Sequence, residues 1–264
     1  MDFSGMLLRF IILLSLVRGC LTIEADKGIL ASDGDVVDCT DVKKQLAFDN
    51  PLLKNHKFQE LPSQLPTFIR STKRSKWQTL EAHISVAKCP KGTIPARRYS
   101  STSNQTASVS ASSDSVHEHA VGIAKVAPKM YGAKATFSVW KPTVEKADEL
   151  SISQIWITSG KYTTNDVNSI EVGWQSDTYN ATGCYNLQCS GFIQTSSSIV
   201  IGGTITPLSA VDGNQYEITV SVWRDQKHGN WWLSLGSDHT LVGYWPAELF
   251  ASLSHAEEVQ WRGH

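Results

Sequence analysis

The sequence lacks an excess of either charge, lacks long apolar runs beyond its first residues, and lacks the short signatures that announce the commoner hydrolases. Its 24 Lys and Arg stand against 25 Asp and Glu, a formal net charge of -1 over 264 residues. With no basic surplus to neutralise phosphates, neither nucleic acid nor an anionic membrane surface is an expected partner. No stretch after Val17 approaches the roughly 20 apolar residues that a membrane-spanning helix needs. There is no G-x-S-x-G elbow, no Gly-rich phosphate loop and no H-E-x-x-H. The nearest approach, His117-Glu118-His119, has no second His one turn on, and reads as hydrogen-bonding groups at a strand start. No metal and no cofactor is expected.

What is present begins with "MLLRFIILLSLVRG", in which Arg9 precedes an apolar run from Phe10 to Val17. That run is too short for a bilayer and fits a secretory signal peptide over residues 1–24, cleaved between Gly19 and Ala25. The expectation is a secreted protein, extracellular, in a cell wall or vacuolar. Of five cysteines, Cys20 is lost with the signal. Cys39, Cys89, Cys184 and Cys189 remain, an even count suited to an oxidising compartment. Four cysteines allow three pairings, of which a local Cys184–Cys189 with a distant Cys39–Cys89 is the most economical. A zinc site is the other use, but C-x-x-C spacing is missing. Sequons at Asn104 and Asn180 fit secretion.

The chain then divides. Residues 25–99 are polar and Lys-rich, with prolines at 51, 62, 66, 90 and 95, and read as a small appendage held by Cys39 and Cys89. Residues 100–115 are dominated by Ser without periodicity, which marks an exposed linker. Residues 116–264 have a different texture. Short runs such as "ATFSVWKP", "SQIWITSG", "NSIEVGWQ" and "NWWLSLG" are rich in β-branched and aromatic residues and are separated by Gly, Pro, Asn and Asp. That pattern predicts an all-β antiparallel β-sandwich. In "QYEITVSVW", Tyr216, Ile218, Val220 and Val222 share one face and Glu217, Thr219 and Ser221 the other, predicting a half-buried strand. Only "PAELFASLSHAEE", with Pro246 at its start, predicts a helix. Nine Trp predict flat side chains lining a sheet or groove.

In "NSIEVGWQ", alternation puts Ile170, Val172 and Trp174 on one face and Ser169, Glu171, Gly173 and Gln175 on the other. If that second face is solvated, Glu171 is a surface carboxylate. If it floors a cleft, Gly173 leaves room for a substrate backbone and Gln175 can hydrogen-bond beside the acid. A partly desolvated Glu has a raised pKa and can serve as general acid or base.

Longer stretches carry a resemblance. "GDVVDCTDVKKQLAFDNPLLKNH" and "KCPKGTIPARR" resemble the activation peptide of the plant neprosin family. "HEHAV", "YGAKATFSVWKPTV", "SQIWITSG", "NSIEVGWQ", "TGCYNLQCSGFIQT", "GNWWLSLG" and "VGYWPAELF" resemble its catalytic domain, in the same order. The resemblance implies a secreted glutamic endopeptidase that cuts after proline in acid and folds as a β-sandwich. It implies two catalytic glutamates facing each other across a cleft, with Glu171 in "IEVGWQ" as the first, and a local Cys184–Cys189 disulfide. Such a pair suits amide hydrolysis: the ionised member takes a proton from water and the protonated one serves the leaving nitrogen. The sequence departs from the family where "VQWRGH" stands for a strand continuing W-G-G-E. Arg262 takes a glycine position, and His264 stands where the second catalytic Glu belongs. A further loop and aromatic strand after Gln175 are missing, and the domain over 116–264 is expected to be truncated.

The expected function is therefore a neprosin-type glutamic endopeptidase domain, with a peptide or protein substrate and its own propeptide as partners, and impaired for want of the second Glu. The alternative is a non-catalytic secreted β-sandwich that binds peptide or cell-wall material. The propeptide is expected to cover the cleft.

Overall fold

Strand-length runs bounded by turn residues become strands almost wherever the alternation places them. A computed structural model describes residues 28–70, 79–98, 120–124, 129–143, 151–164, 166–176, 186–188 and 190–263. The signal-like segment, the Ser-rich stretch with Asn104, His117 and His119, and Asn180, Cys184, Cys189 and His264 lie outside the described residues.

Two sheets face each other. The first has six strands: β3 (Leu80–Glu81), β7 (Gly132–Ser138), β10 (Ile193–Gln194), β12 (Tyr216–Arg224), β13 (Trp231–Leu235) and β14 (Thr240–Trp245). They run in the order β10-β14-β13-β12, and β12 pairs along its length with β7 and at its start with β3. The second sheet has the order β6 (Ala120–Ala124), β15 (Glu258–Gly263), β8 (Ser151–Ser159) and β9 (Asn168–Ser176), all antiparallel. Only β3 on β12 is a parallel pairing among these. Between the sheets lies one apolar core, in which Ile155, Ile157, Ile170 and Val259 meet Val220, Val222, Trp231, Leu233 and Val242. The protein is an all-β antiparallel sandwich.

The N-terminal segment wraps the first sheet. Strands β1 (Ile29–Leu30), β2 (Val36–Asp41) and β5 (Thr93–Arg97) form a small antiparallel sheet. The Cys39–Cys89 disulfide, expected from the cysteine count, closes this part at a Cα–Cα distance of 5.5 Å. Between those strands, β4 (His83–Ile84) pairs with β11 (Ile205–Thr206), and β3 adds to the large sheet. Leu53, Ala47, Ile69, Phe48, Phe58 and Phe68 pack on the outer side of that sheet against Trp223, Trp232 and Tyr244. Those three aromatics stand opposite one another on neighbouring strands, and the Trp232 and Tyr244 rings lie 4.7 Å apart.

Two sequence expectations change here. The strand "QYEITVSVW" buries both faces in its second half, because Ser221 and Trp223 point outward yet are covered by the wrapped segment. The stretch from Pro246 to Glu258 is no helix. One 3-10 turn, Ala247–Leu249, is followed by extended chain. The Leu253 carbonyl accepts from the Trp231 indole at 3.0 Å, and Ala256 exchanges backbone bonds with Met130. Backbone groups committed to these tertiary partners cannot also close helical turns.

Candidate active site

Glu171 sits near the middle of β9, on the face of the second sheet that points away from the core. Register explains this: Glu171 opposes Trp156 on β8, and Trp156 opposes Gln260 on β15. Inward alternates Ile170, Ile155, Ile157 and Val259 are almost wholly buried, so the outward set is Ser169, Glu171, Gln154, Trp156, Gln260 and Arg262. The face is joined by side-chain bonds. Ser169 Oγ donates to Glu171 Oε1 at 3.0 Å, and Trp156 Nε1 donates to Gln154 Oε1 at 2.8 Å. Arg262 Nε donates to the side-chain oxygen Oε1 of Gln260, and Gln260 Nε2 donates to Glu258 Oε1. The Arg262 guanidinium lies over the Trp156 ring, 3.7 Å from its centre.

Glu171 keeps exposed surface, yet neighbouring atoms displace enough water that its carboxyl is held above the ordinary glutamate range. Desolvation is the leading cause; the Ser169 hydroxyl and the Arg262 charge oppose it without cancelling it. One strand over, a groove of about 310 Å³ is lined by Trp156, Thr158, Gly160, Glu257, Glu258 and Arg262, among others; Glu171 is not among the lining residues but pairs with Trp156. A carboxyl that retains its proton into milder conditions, on the strand paired with the groove residue Trp156, can donate or accept a proton.

The sequence expectations fare unevenly at this site. Glu171 has the raised pKa and the outward position of the cleft-floor reading. Gly173 is exposed, and what it lacks is room for a Cβ of its own. A Cβ there would stand 1.9 Å from the Ser153 carbonyl oxygen and 2.7 Å from the Gln154 Cα, so the neighbouring strand already occupies that room. The side chain of Gln175 and all of His264 lie outside the described residues. Opposite Glu171, two strands across, stands the amide of Gln260. Trp156, Gln154, Gln260 and Arg262 were missed as site residues, although alternation in "SQIWITSG" and "VQWRGH" already separates them from their buried neighbours. What alternation could not supply was the register that brings them beside Glu171.

The wrapped segment does not lie where expected. Among the described residues, the groove near Glu171 is lined from residues 156–262, and the segment seats on the far sheet. There Asp225, with no exposed surface, accepts from Ser63 Oγ and from Gln59 Nε2 at 2.8 Å, from the Ser63 N–H at 3.1 Å, and bonds His228 Nδ1 at 3.0 Å. Burial pushes its pKa up, but these hydrogen bonds more than offset that and hold it well below the usual carboxylate range. His56 Nε2 and the Gln59 N–H bond the Tyr244 hydroxyl at 3.0 and 2.9 Å. The same segment's Arg97 pairs with Asp35 at 2.5 Å, and Arg98 with Asp38 at 2.6 Å. Among the described residues no group of three or more His, Cys, Asp or Glu is clustered to hold a metal, and no helix is long and apolar enough to cross a membrane.

Fold and site thus define a β-sandwich with a desolvated glutamate on the outer face of one sheet and an N-terminal segment strapped across the other. Comparison with protein families agrees on both parts. Residues 28–118 match the neprosin activation peptide, and residues 147–264 match the neprosin domain. The chain belongs to the neprosin family.

Proposed function

We propose that this chain is a secreted neprosin-type glutamic endopeptidase-domain protein, acting on proline-containing peptides through Glu171 and of low hydrolytic rate. The observation that carries this reading is the raised pKa of Glu171 on a groove-bearing outer face. A peptide lying in that groove passes Trp156, the strand neighbour of a carboxyl whose pKa is raised by desolvation. The low rate follows from the groups around it. His264 stands at the position matched to the second glutamate, Gln260 is the residue across from Glu171, and Arg262 places positive charge on the same face. An amide takes no proton from water, so one half of the acid–base pair is missing. General acid–base assistance is worth about 10²- to 10⁴-fold in rate, and that is the scale of the expected deficit.

Export through the signal peptide at 1–24, a Cys184–Cys189 disulfide, glycans on Asn104 and Asn180, and release of the activation peptide at the Ser-rich stretch 100–115 accompany this reading. The second reading, a non-catalytic binder of peptide or cell-wall material, is favoured by Gln260 and Arg262 and differs in turnover. Purified protein incubated with a proline-containing peptide at several acidic pH values decides between them, with Glu171→Gln as control. The expected result is slow post-proline cleavage that the control abolishes. Cleavage equal in the two proteins removes Glu171 from the mechanism, and no cleavage with retained peptide binding leaves the binder.

A further inference from the structure

We propose that Arg262 gives the groove a seat for a carboxylate, so that the site selects peptides carrying an acidic residue close to the bond held at Glu171. The inference rests on the peptide-binding reading above and names the peptide class. Its basis is how the guanidinium is held. Arg262 opposes Gln154 on β8, one outward pair along the sheet from the level of Trp156 and Glu171. Its plane is set from two sides: it stacks 3.7 Å above Trp156, and its Nε donates to Gln260. Trp156 is itself pinned by the 2.8 Å bond to Gln154. Neither terminal nitrogen of Arg262 has a hydrogen-bond partner among the described residues, and both belong to a side chain that lines the groove. A planar fork fixed in orientation matches a carboxylate with little further loss of freedom.

Other charges on the groove are already engaged. Glu257 accepts from the Gly160 N–H at 3.2 Å, and Glu258 accepts from the Gln260 side chain. Glu171 weakens as a competitor in mild acid, since its pKa is raised. On the far side of Arg262 and Gln260 stand Val121 and Ile123 of β6, 41% and 55% exposed, an apolar wall along which an extended peptide could lie. The Arg262 guanidinium leans over Trp156, the residue paired directly with Glu171, and its charge acts on Glu171, so a carboxylate it receives belongs to a residue close to the bond held there.

The test compares two extended, proline-containing peptides that differ only in Glu or Gln two positions from the proline, titrated into the full chain by calorimetry. The Glu peptide should bind about five-fold more tightly at low salt, and the advantage should shrink as salt rises. Arg262→Gln should abolish the difference between the two peptides, and Arg262→Lys should keep part of it. Equal affinity of the two peptides for the unaltered protein overturns this inference and leaves the peptide-binding reading standing. Binding of neither peptide overturns both. The peptide pair decides the matter on the unaltered protein even where a variant fails to fold.

Discussion

The side-chain amide of Gln45 donates to the carbonyl of Gln194 and accepts from its N–H, 2.8 Å in each direction. One side chain of the activation peptide thereby pairs with β10 as a neighbouring strand would. Both residues are buried, so no water can replace these bonds. Gln45→Ala should cost about 2–3 kcal/mol, because it leaves a buried backbone donor and acceptor unpaired. Chemical denaturation of the full chain measures this, and a change under about 0.5 kcal/mol would show that the clasp forms no part of the folded state's stability.

Asp225, just past the end of β12, fixes the same strap further along, and the sign of its pKa shift sets when it lets go. A carboxylate held below its unfolded value contributes stability that is complete above about pH 4 and is lost only as pH falls through the folded value. Its folded value lies well below the usual range. Mild acid near pH 5 should therefore leave the Asp225–Ser63–Gln59 clasp intact. Asp225→Asn should destabilise by about 2 kcal/mol at pH 7, with the gap to the unaltered protein narrowing below pH 4. Urea unfolding at pH 7, 5 and 3 checks both, and a gap that closes already between pH 6 and 5 would contradict the assignment.

Glu171 carries the opposite sign. Its folded pKa is raised, so the unfolded state releases the proton first, and this group's contribution declines as pH rises from the ordinary glutamate value through the raised one. Glu171→Gln should leave stability unchanged at low pH and raise it slightly at neutral pH. Arg262→Gln, by removing the charge that holds the value down, should move the Glu171 titration further upward. Carboxyl NMR titration of the two proteins reads that displacement directly, and a downward move would mean that Arg262 does not act on Glu171 through charge.

Gly173 admits no side chain. With backbone atoms of Ser153 and Gln154 inside 3 Å of the Cβ position, Gly173→Ala must push β9 away from β8. The expected cost is about 2–3 kcal/mol, the scale of overpacking in a close-packed interior. Thermal unfolding checks it, with Ser169→Ala as a comparison that removes only the bond to Glu171.

Several features were legible without the structure because they depend on local chemistry. Alternation in "NSIEVGWQ" separated Ile170 and Val172 from Ser169 and Glu171, since side chains reverse face at every step of a strand. The Cys39–Cys89 pairing followed from the count and spacing of cysteines, and the outward position of Glu171 from its three apolar alternates. Other features belonged to tertiary structure alone. The register between β8, β9 and β15 determined that Glu171 stands across from Trp156 and Gln260 and near Arg262, and long-range pairing leaves no mark on either strand's own sequence. "PAELFASLSHAEE" has helical spacing, yet Trp231 and Met130 claim its backbone groups, and the helix is lost. Ser221 and Trp223 alternate outward but are buried, because whether an outer face meets water depends on what another segment lays over it. The activation peptide's seat on the far sheet was decided in the same way. Its prolines and lysines say only that it is irregular and polar, whereas Phe48, Phe58 and Phe68 find their place through the aromatic row of Trp223, Trp232 and Tyr244, which exists only once three strands have come together.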